Sequence, residues 1–386
     1  MHKSPRLYRH LLDRAKIFKK TEERPVVADK QKFAFAVAPV GDGDLSDEQL
    51  YAEVLADCRV GHALGYDSAW MLEHHFSDYF PTPSPLMFMS NLAPQCPGLG
   101  FGAAVLVAPW YNPVRLAGEI AMLSNLCTGN LYLGLGRGTA KLEYDAFGLD
   151  MEEARERFKD CYEILNRGLS GEPFSYQGKF FSTNREVRIR PTPKTERIHL
   201  YGALGSPQSA TIMAEMGLAP LNTCQFPFHI LEKAMAAWGA QAAETGYPED
   251  TGRPVMAHTL IADSDDEAMA LARHHLSEFF KLQSIHYEAD ADVWIDIKGY
   301  EQFSRFFQNL TKLSDPDNID GFAGHNFVGS PQTVAEQVEK LTSIGFNHFI
   351  VHPATVGVPR ALRHDVLRRF AETVAPEFSP EFSKAA

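Results

Sequence analysis

Short apolar runs alternate with longer stretches of helical spacing along most of this 386-residue chain. The runs are KFAFAVA (32–38), SAWML (68–72), LGFGAAVLV (99–107), LYLGLG (131–136), RIHLYGA (197–203), LAPLNTC (218–224), VMAHTLIA (255–262) and HFIVHP (348–353). Most are near-continuously apolar, the signature of strands buried on both faces.

The intervening stretches carry helix punctuation. In 112–128, Asn112 suits an N-cap, Pro113 suits the first turn, and Leu116, Ile120, Leu123 and Cys127 share one face before Gly129 stops the helix. Phe158, Tyr162, Leu165 and Leu169 repeat that spacing in 151–169. Ser330 and Pro331 open a helix whose inner face holds Val334, Val338 and Leu341. Each such face needs an apolar surface to cover, and a parallel sheet supplies it.

Eight strands alternating with helices predict an α/β fold: a single (β/α)8 TIM barrel over residues 33–376, with an open doubly wound sheet as the alternative. Two segments exceed what a barrel needs. Residues 171–196 read as a β excursion before the fifth strand, and 263–329 read as a helical, lid-like insertion after the seventh.

Composition narrows the function classes. The formal net charge is −12 and the basic residues form no concentrated patch beyond the first 32 residues, which disfavours a nucleic-acid partner. Residues 1–32 read as a basic, partly amphipathic extension without the apolar core of a signal peptide, and 377–386 as a short tail. No apolar stretch reaches the length of a membrane span. Cys58, Cys96, Cys127, Cys161 and Cys224 are odd in number, widely spaced and free of any C-x-x-C pair. They read as reduced, buried thiols of a cytoplasmic protein, and a cysteine-based zinc site is not expected.

In a parallel barrel, chemistry sits at the C-terminal ends of the strands. The second run delivers Glu73, His74 and His75 to that rim. Adjacent histidines on a strand end point to opposite sides, so a shared metal ion is not expected. His348 and His352 share a strand face but stand roughly 13 Å apart, too far for one ion. At LYLGLGRG (131–138), the glycines miss the G-x-G-x-x-G spacing of a dinucleotide site. Two readings fit: a turn with a surface arginine, or a strand end where a flat ligand meets the backbone and Arg137 reaches an anion. At GSPQSA (205–210), Ser206 can cap a helix opened by Pro207, with Ser209 on the same turn. That is either a plain cap or an anion site, to which Arg155 would add a second guanidinium.

Taken in order, WMLEHHF, GAAVLVAPWYNPVRLAGEIAMLSNLCTGNLYLGLGRG, EYDAFG, GSPQSA and FVGSPQTVAEQVEKL make the chain resemble the bacterial luciferase-like flavin monooxygenases, outside its first 32 residues. The resemblance implies that His74 handles a proton near a reduced flavin and that Glu73 lies beside the flavin ring. It implies that Arg137, Arg155, Ser206 and Ser209 hold the phosphate, and that Thr139 meets the flavin through its backbone. A cis peptide at Ala104–Val105 is also implied. Two departures stand out: Gly136 replaces the reactive cysteine of true luciferases, and Gly205 replaces an acidic residue, so light emission is not expected.

The function so implied is a two-component monooxygenase. It would take reduced FMN from an NAD(P)H-dependent flavin reductase and use O2 to oxygenate a small apolar substrate through a C4a-peroxyflavin. Phe76, Tyr79, Phe80, Trp110 and Tyr111 are the expected cavity wall. The resemblance also implies a homodimer through the helices after the second and third strands, including Leu116–Leu126. Two alternatives keep the fold: a deazaflavin-dependent hydride-transfer enzyme, and a flavin-binding partner subunit without turnover.

Overall fold

The structure is a computed structural model that describes residues 31–40, 45–248, 251–289, 294, 296–353, 355, 357–380 and 382, with the backbone alone for 301, 302, 304 and 305. Most of the basic N-terminal extension and half of the C-terminal tail expected from the sequence lie outside the described residues.

Among the described residues nine strands form: β1 (Lys32–Ala36), β2 (Ser68–Met71), β3 (Gly100–Val107), β4 (Leu131–Gly136), β5 (Ile198–Ala203), β6 (Ala219–Thr223), β7 (Pro254–Ile261), β8 (Phe327–Gly329) and β9 (His348–His352). Every pairing among these strands is parallel. β1 to β6 follow in order, β6 pairs with β7, β7 with β9 and β9 with β1. These last pairings close the sheet, so the open doubly wound alternative is excluded and the (β/α)8 barrel stands.

The helices are α1 (Asp47–Ala63), α2 (Pro85–Leu92), α3 (Pro113–Leu126), α4 (Lys141–Phe147), α5 (Ala154–Gly168), α6 (Pro207–Glu215), α7 (Phe228–Thr245), α8 (Asp265–His286), α9 (Glu301–Thr311), α10 (Ile319–Ala323), α11 (Pro331–Ile344), α12 (Arg360–Arg369) and α13 (Ala375–Phe378). Asn112 caps α3 by accepting from the Val114 and Arg115 amides at 3.1 Å each, and Ser330 caps α11, as their sequence signals predict.

Two insertions differ in detail from expectation. Residues 171–196 make a narrow hairpin of isolated antiparallel bridges, Phe174 with Val187 and Gln177 with Ser182, rather than full strands. The 263–329 insertion contains α8, α9 and α10 but ends in a strand, β8, which pairs with the outer end of β7. Three residues are too few to display strand periodicity, so FVG was legible only as part of the insertion.

Inside the barrel, Trp70 stacks on Tyr132 with ring centroids 5.8 Å apart. Gly102 makes room for that indole, since a Cβ there would lie 2.2 Å from it. A second apolar layer joins the barrel to its helices, and a third lies beneath the insertion, where Phe279, Phe280, Trp294 and Phe307 pack against Tyr79, Phe80 and Tyr144. The first and last helical layers are clamped by charge. Arg363 of α12 is 1% exposed, and its guanidinium reaches Asp57 at 2.8 Å and Glu53 at 2.7 Å, both on α1.

Candidate active site

A cavity of about 290 Å³ opens at the C-terminal ends of the strands, near the lower end of the roughly 300–1000 Å³ range of ligand pockets. Its walls come from β2 to β7, β9 and the insertion. Phe279, Gln283 and Tyr287 reach it from α8 and its end, and Phe303, Phe306 and Phe307 from α9. The lid-like insertion therefore roofs the cavity.

The two histidines after β2 diverge. His75 Nε2 lies 3.2 Å from Glu73 Oε1 and packs against Trp110 and Phe147. His74 turns to the cavity, where its Nδ1 lies 3.4 Å from Glu143 Oε1 on α4. That same oxygen accepts the His75 amide at 2.7 Å and stands 3.6 Å from His286 Nε2 at the end of α8. His286 Nδ1 in turn lies 2.7 Å from the Ser77 hydroxyl.

Burial alone would raise the pKa of Glu143, but His286 and His74 outweigh it and hold the carboxyl down to about 2. Glu143 is therefore a buried anion. Burial pushes the His74 pKa down, only partly opposed by Glu143, which favours the neutral imidazole. With Nδ1–H directed at a carboxylate, Nε2 carries the lone pair. His74, Glu143 and His286 form the one trio of His, Cys, Asp or Glu among the described residues whose ligand atoms all lie within 4.8 Å of one another. The geometry would admit a small cation. Sequence alone did not foresee this trio, because Glu143 and His286 lie on separate helices far from His74.

Glu73 also lines the cavity, but both its oxygens are engaged: Oε1 by His75, and Oε2 by the Val107 amide at 2.9 Å. Burial raises its pKa against these bonds. Glu73 thus ties β2 to the end of β3. Just before that end, the Ala104–Val105 peptide is cis, and the β3–β4 register shifts between Ala103 and Leu106. Ala104 and Val105 both face the cavity. Gly136 leaves the space that Val105 fills: a Cβ on Gly136 would lie 2.4 Å from Val105 Cγ2. The glycine clears the way for a side chain rather than directly for a ligand.

At the other end lie Arg137, Gly205, Ser206 and Ser209. The Arg137 guanidinium sits over the Tyr300 ring, 4.9 Å from its centroid, and has no carboxylate partner among the described residues. Ser206 caps α6, and the Gly205 and Ser206 amides both donate to Ser209 Oγ, at 3.1 and 3.0 Å. A lone guanidinium beside a helix start and two hydroxyls fits a phosphate. Thr139 lines the wall between and hydrogen-bonds Tyr287. Arg155 is exposed on the first turn of α5 and lies outside the cavity lining; its charge acts on Tyr300.

Of the expected aromatic wall, Tyr79, Phe80 and Trp110 line the cavity. Phe76 does not: it points outward, 57% exposed, against Phe147, with a left-handed φ of 62°. Tyr111 packs beneath the site and hydrogen-bonds Glu73 instead. Chain position placed both beside cavity residues; only side-chain direction separated them. All five cysteines are buried and free. Among the described residues, no helix is long and apolar enough to cross a membrane.

The family model described as luciferase-like monooxygenase matches residues 32–348. The chain belongs to that family. Luciferase-like monooxygenases are flavin-binding oxidoreductases, and two of the relatives below are named with a flavin. The chain is 22% identical over 358 residues to the oxygenase component of the flavin-dependent trigonelline monooxygenase of Acinetobacter baylyi, covering 86% of this chain and 91% of that one. It is 37% identical over 134 residues to y4vJ, an uncharacterized protein of Sinorhizobium fredii, spanning 33% of this chain and 38% of that protein. Its fold is similar to that of monooxygenase RslO1 from Streptomyces bottropensis, with a TM-score of 0.75 at 21% identity over 90% of this chain and all of that one. It is also similar to the oxygenating constituent of 3,6-diketocamphane monooxygenase from Pseudomonas putida in complex with FMN, with a TM-score of 0.70 at 20% identity over 90% of this chain and 99% of that one. An F420-dependent secondary alcohol dehydrogenase shares the fold too, with a TM-score of 0.68 at 15% identity over 92% of this chain and 99% of that one.

Proposed function

We propose that this luciferase-like monooxygenase is the oxygenase component of a two-component system. It takes reduced FMN from an NAD(P)H-dependent flavin reductase and uses O2 to oxygenate a small, mostly apolar molecule. The observation that carries this reading is one cavity with, at one end, a capped helix start and an arginine that has no carboxylate partner among the described residues, and a carboxylate-oriented histidine in its wall.

Arg137, Ser206 and Ser209 would hold the phosphate, and Ala104 and Val105 would support the ring. Bound reduced flavin supplies the electrons that activate O2. The chain supplies the surroundings. His74 can take or give a proton at Nε2 while Glu143 fixes its tautomer. Glu73 holds the end of β3 in place through Val107. Phe279, Phe303, Phe306 and Phe307 keep water out from above.

Exposed Met87 on α2, with Met122 and Leu126 on α3, is consistent with a homodimer through these helices. Titration with FMN, followed by turnover of a reductase-coupled mixture under 18O2, tests the reading. The expected result is one 18O atom in the organic product. Hydride transfer from reduced deazaflavin with no 18O incorporated would replace it.

A further inference from the structure

His258 of β7 and His352 of β9 face each other in register, their ring centroids 4.8 Å apart. Both line the cavity, at 3% and 2% exposure. Their backbones are pinned: the His258 amide donates to Asn326 Oδ1 at 3.0 Å, and the His352 amide to Thr259 Oγ1 at 3.1 Å. Their rings are not. Nδ1 of each is shut away from the cavity and has no hydrogen-bond partner. A buried polar atom left unpaired in a folded protein calls for an explanation.

Tautomer chemistry supplies one. A buried N–H without an acceptor costs more than a buried lone pair without a donor. Each ring therefore keeps its lone pair at Nδ1 and its proton at Nε2, the nitrogen left to face the cavity. Burial drives both pKa values down, so neither ring carries a charge that would attract an anion. Phe80 and Phe279 flank the pair, at 5.9 Å from His352 and 4.7 Å from His258. The result is two adjacent neutral donors in an aromatic surround, on the β7–β9 side of the cavity. Arg137 and Ser206 lie on the β4–β5 side.

We infer that His258 and His352 form a substrate subsite that takes the uncharged carbonyl oxygen of a compact hydrocarbon or aromatic molecule, such as a ketone. The inference rests on the proposed oxygenase reading and narrows its substrate class. A carboxylate is disfavoured because the pair has no charge to offset its desolvation, and a plain hydrocarbon leaves both donors unpaired.

The probes are acetophenone, ethylbenzene and benzoate, titrated into the full-length, 15N-histidine-labelled protein. Acetophenone should bind at least tenfold tighter than either of the others and shift the imidazole 15N resonances of His258 and His352. His258→Leu and His352→Leu should abolish that preference, whereas His352→Gln, which keeps an amide donor, should retain most of it. Equal binding of acetophenone and ethylbenzene by the unsubstituted protein overturns the inference, whether or not the variants fold. So does a preference that survives both leucine substitutions. FMN titration of the same samples is read separately: failure there counts against the flavin reading, while the probe comparison still decides the subsite.

Discussion

His74 Nδ1 and Glu143 Oε1 lie 3.4 Å apart, joining the loop after β2 to the helix after β4. The carboxylate is buried and held anionic by the imidazoles around it. Glu143 is thus a positioning residue that sets the tautomer of His74. Glu143→Gln removes the charge that partly opposes the effect of burial on His74. The pH limb that reports His74 in kcat should move to lower pH, and turnover should fall about tenfold, the scale of one charge-assisted hydrogen bond. His74→Ala should cost on the order of 10²-fold in turnover. A Glu143→Gln profile that overlays the parent would remove Glu143 from this role.

Arg137 is the guanidinium on the cavity wall, and Tyr300 stacks beneath it. Arg137→Ala should weaken FMN binding at least tenfold by absorbance titration, and Arg137→Lys should recover only part of it, since a point charge lacks the planar fork. Arg155→Ala, outside the cavity lining, should weaken binding much less.

Gly136 and Val105 share one space. Gly136→Ala places a Cβ 2.4 Å from Val105 Cγ2, and the stiff, branched valine has little freedom to move. Stability should fall by about 1–3 kcal/mol in urea denaturation. Adding Val105→Ala should restore part of the loss; a strictly additive double-mutant cycle would show that the two do not compete.

Arg363 sits between Glu53 and Asp57 in a buried cluster. Arg363→Met takes one buried partner from each acid, leaving Glu53 with Arg360 and Asp57 with His364, and should destabilise the barrel by at most about 3–5 kcal/mol, the cost of fully orphaning a buried charge. The measurement is the urea midpoint at neutral pH.

Acid should weaken the fold in two windows. Burial holds the folded pKa of His348 near 4 and of His352 near 3, below the ordinary 6.5, and pushes His258 down as well. The unfolded chain binds more protons in that range, so stability present above about pH 6.5 is lost as pH falls toward these values. Glu53 and Glu143, both near 2 when folded, add a second loss below their ordinary 4.5. Urea midpoints at pH 7.5, 5.5 and 4 should decline in that order; a flat profile from 7.5 to 5.5 would mean the histidines already carry protons in the fold.

The eight strands of the barrel were legible because each is an apolar run bounded by helix signals, and Asn112 and Ser330 announced their caps. His258 carried a signal that went unread: a histidine inside the apolar run VMAHTLIA has no ordinary place on a strand buried on both faces. Glu143 opens EYDAFG, one of the segments that carry the resemblance, but nothing in it announced its partners, since an acid on a short helix looks like any surface residue. Phe76 and Phe80 were indistinguishable in sequence. The structure turns one outward and the other into the core, although both adopt left-handed backbone angles.

Sequence by itself determined the order and type of the elements, because burial repeats every second residue on a strand and about every 3.6 on a helix, a period each short segment displays alone. Only the closed barrel decided which polar side chains meet. β7 had to register with β9 before His258 could face His352, and α8 had to cross the barrel mouth before His286 could approach Glu143. Hydrogen bonds and tautomers act over about 3 Å, a distance that no spacing along the chain encodes.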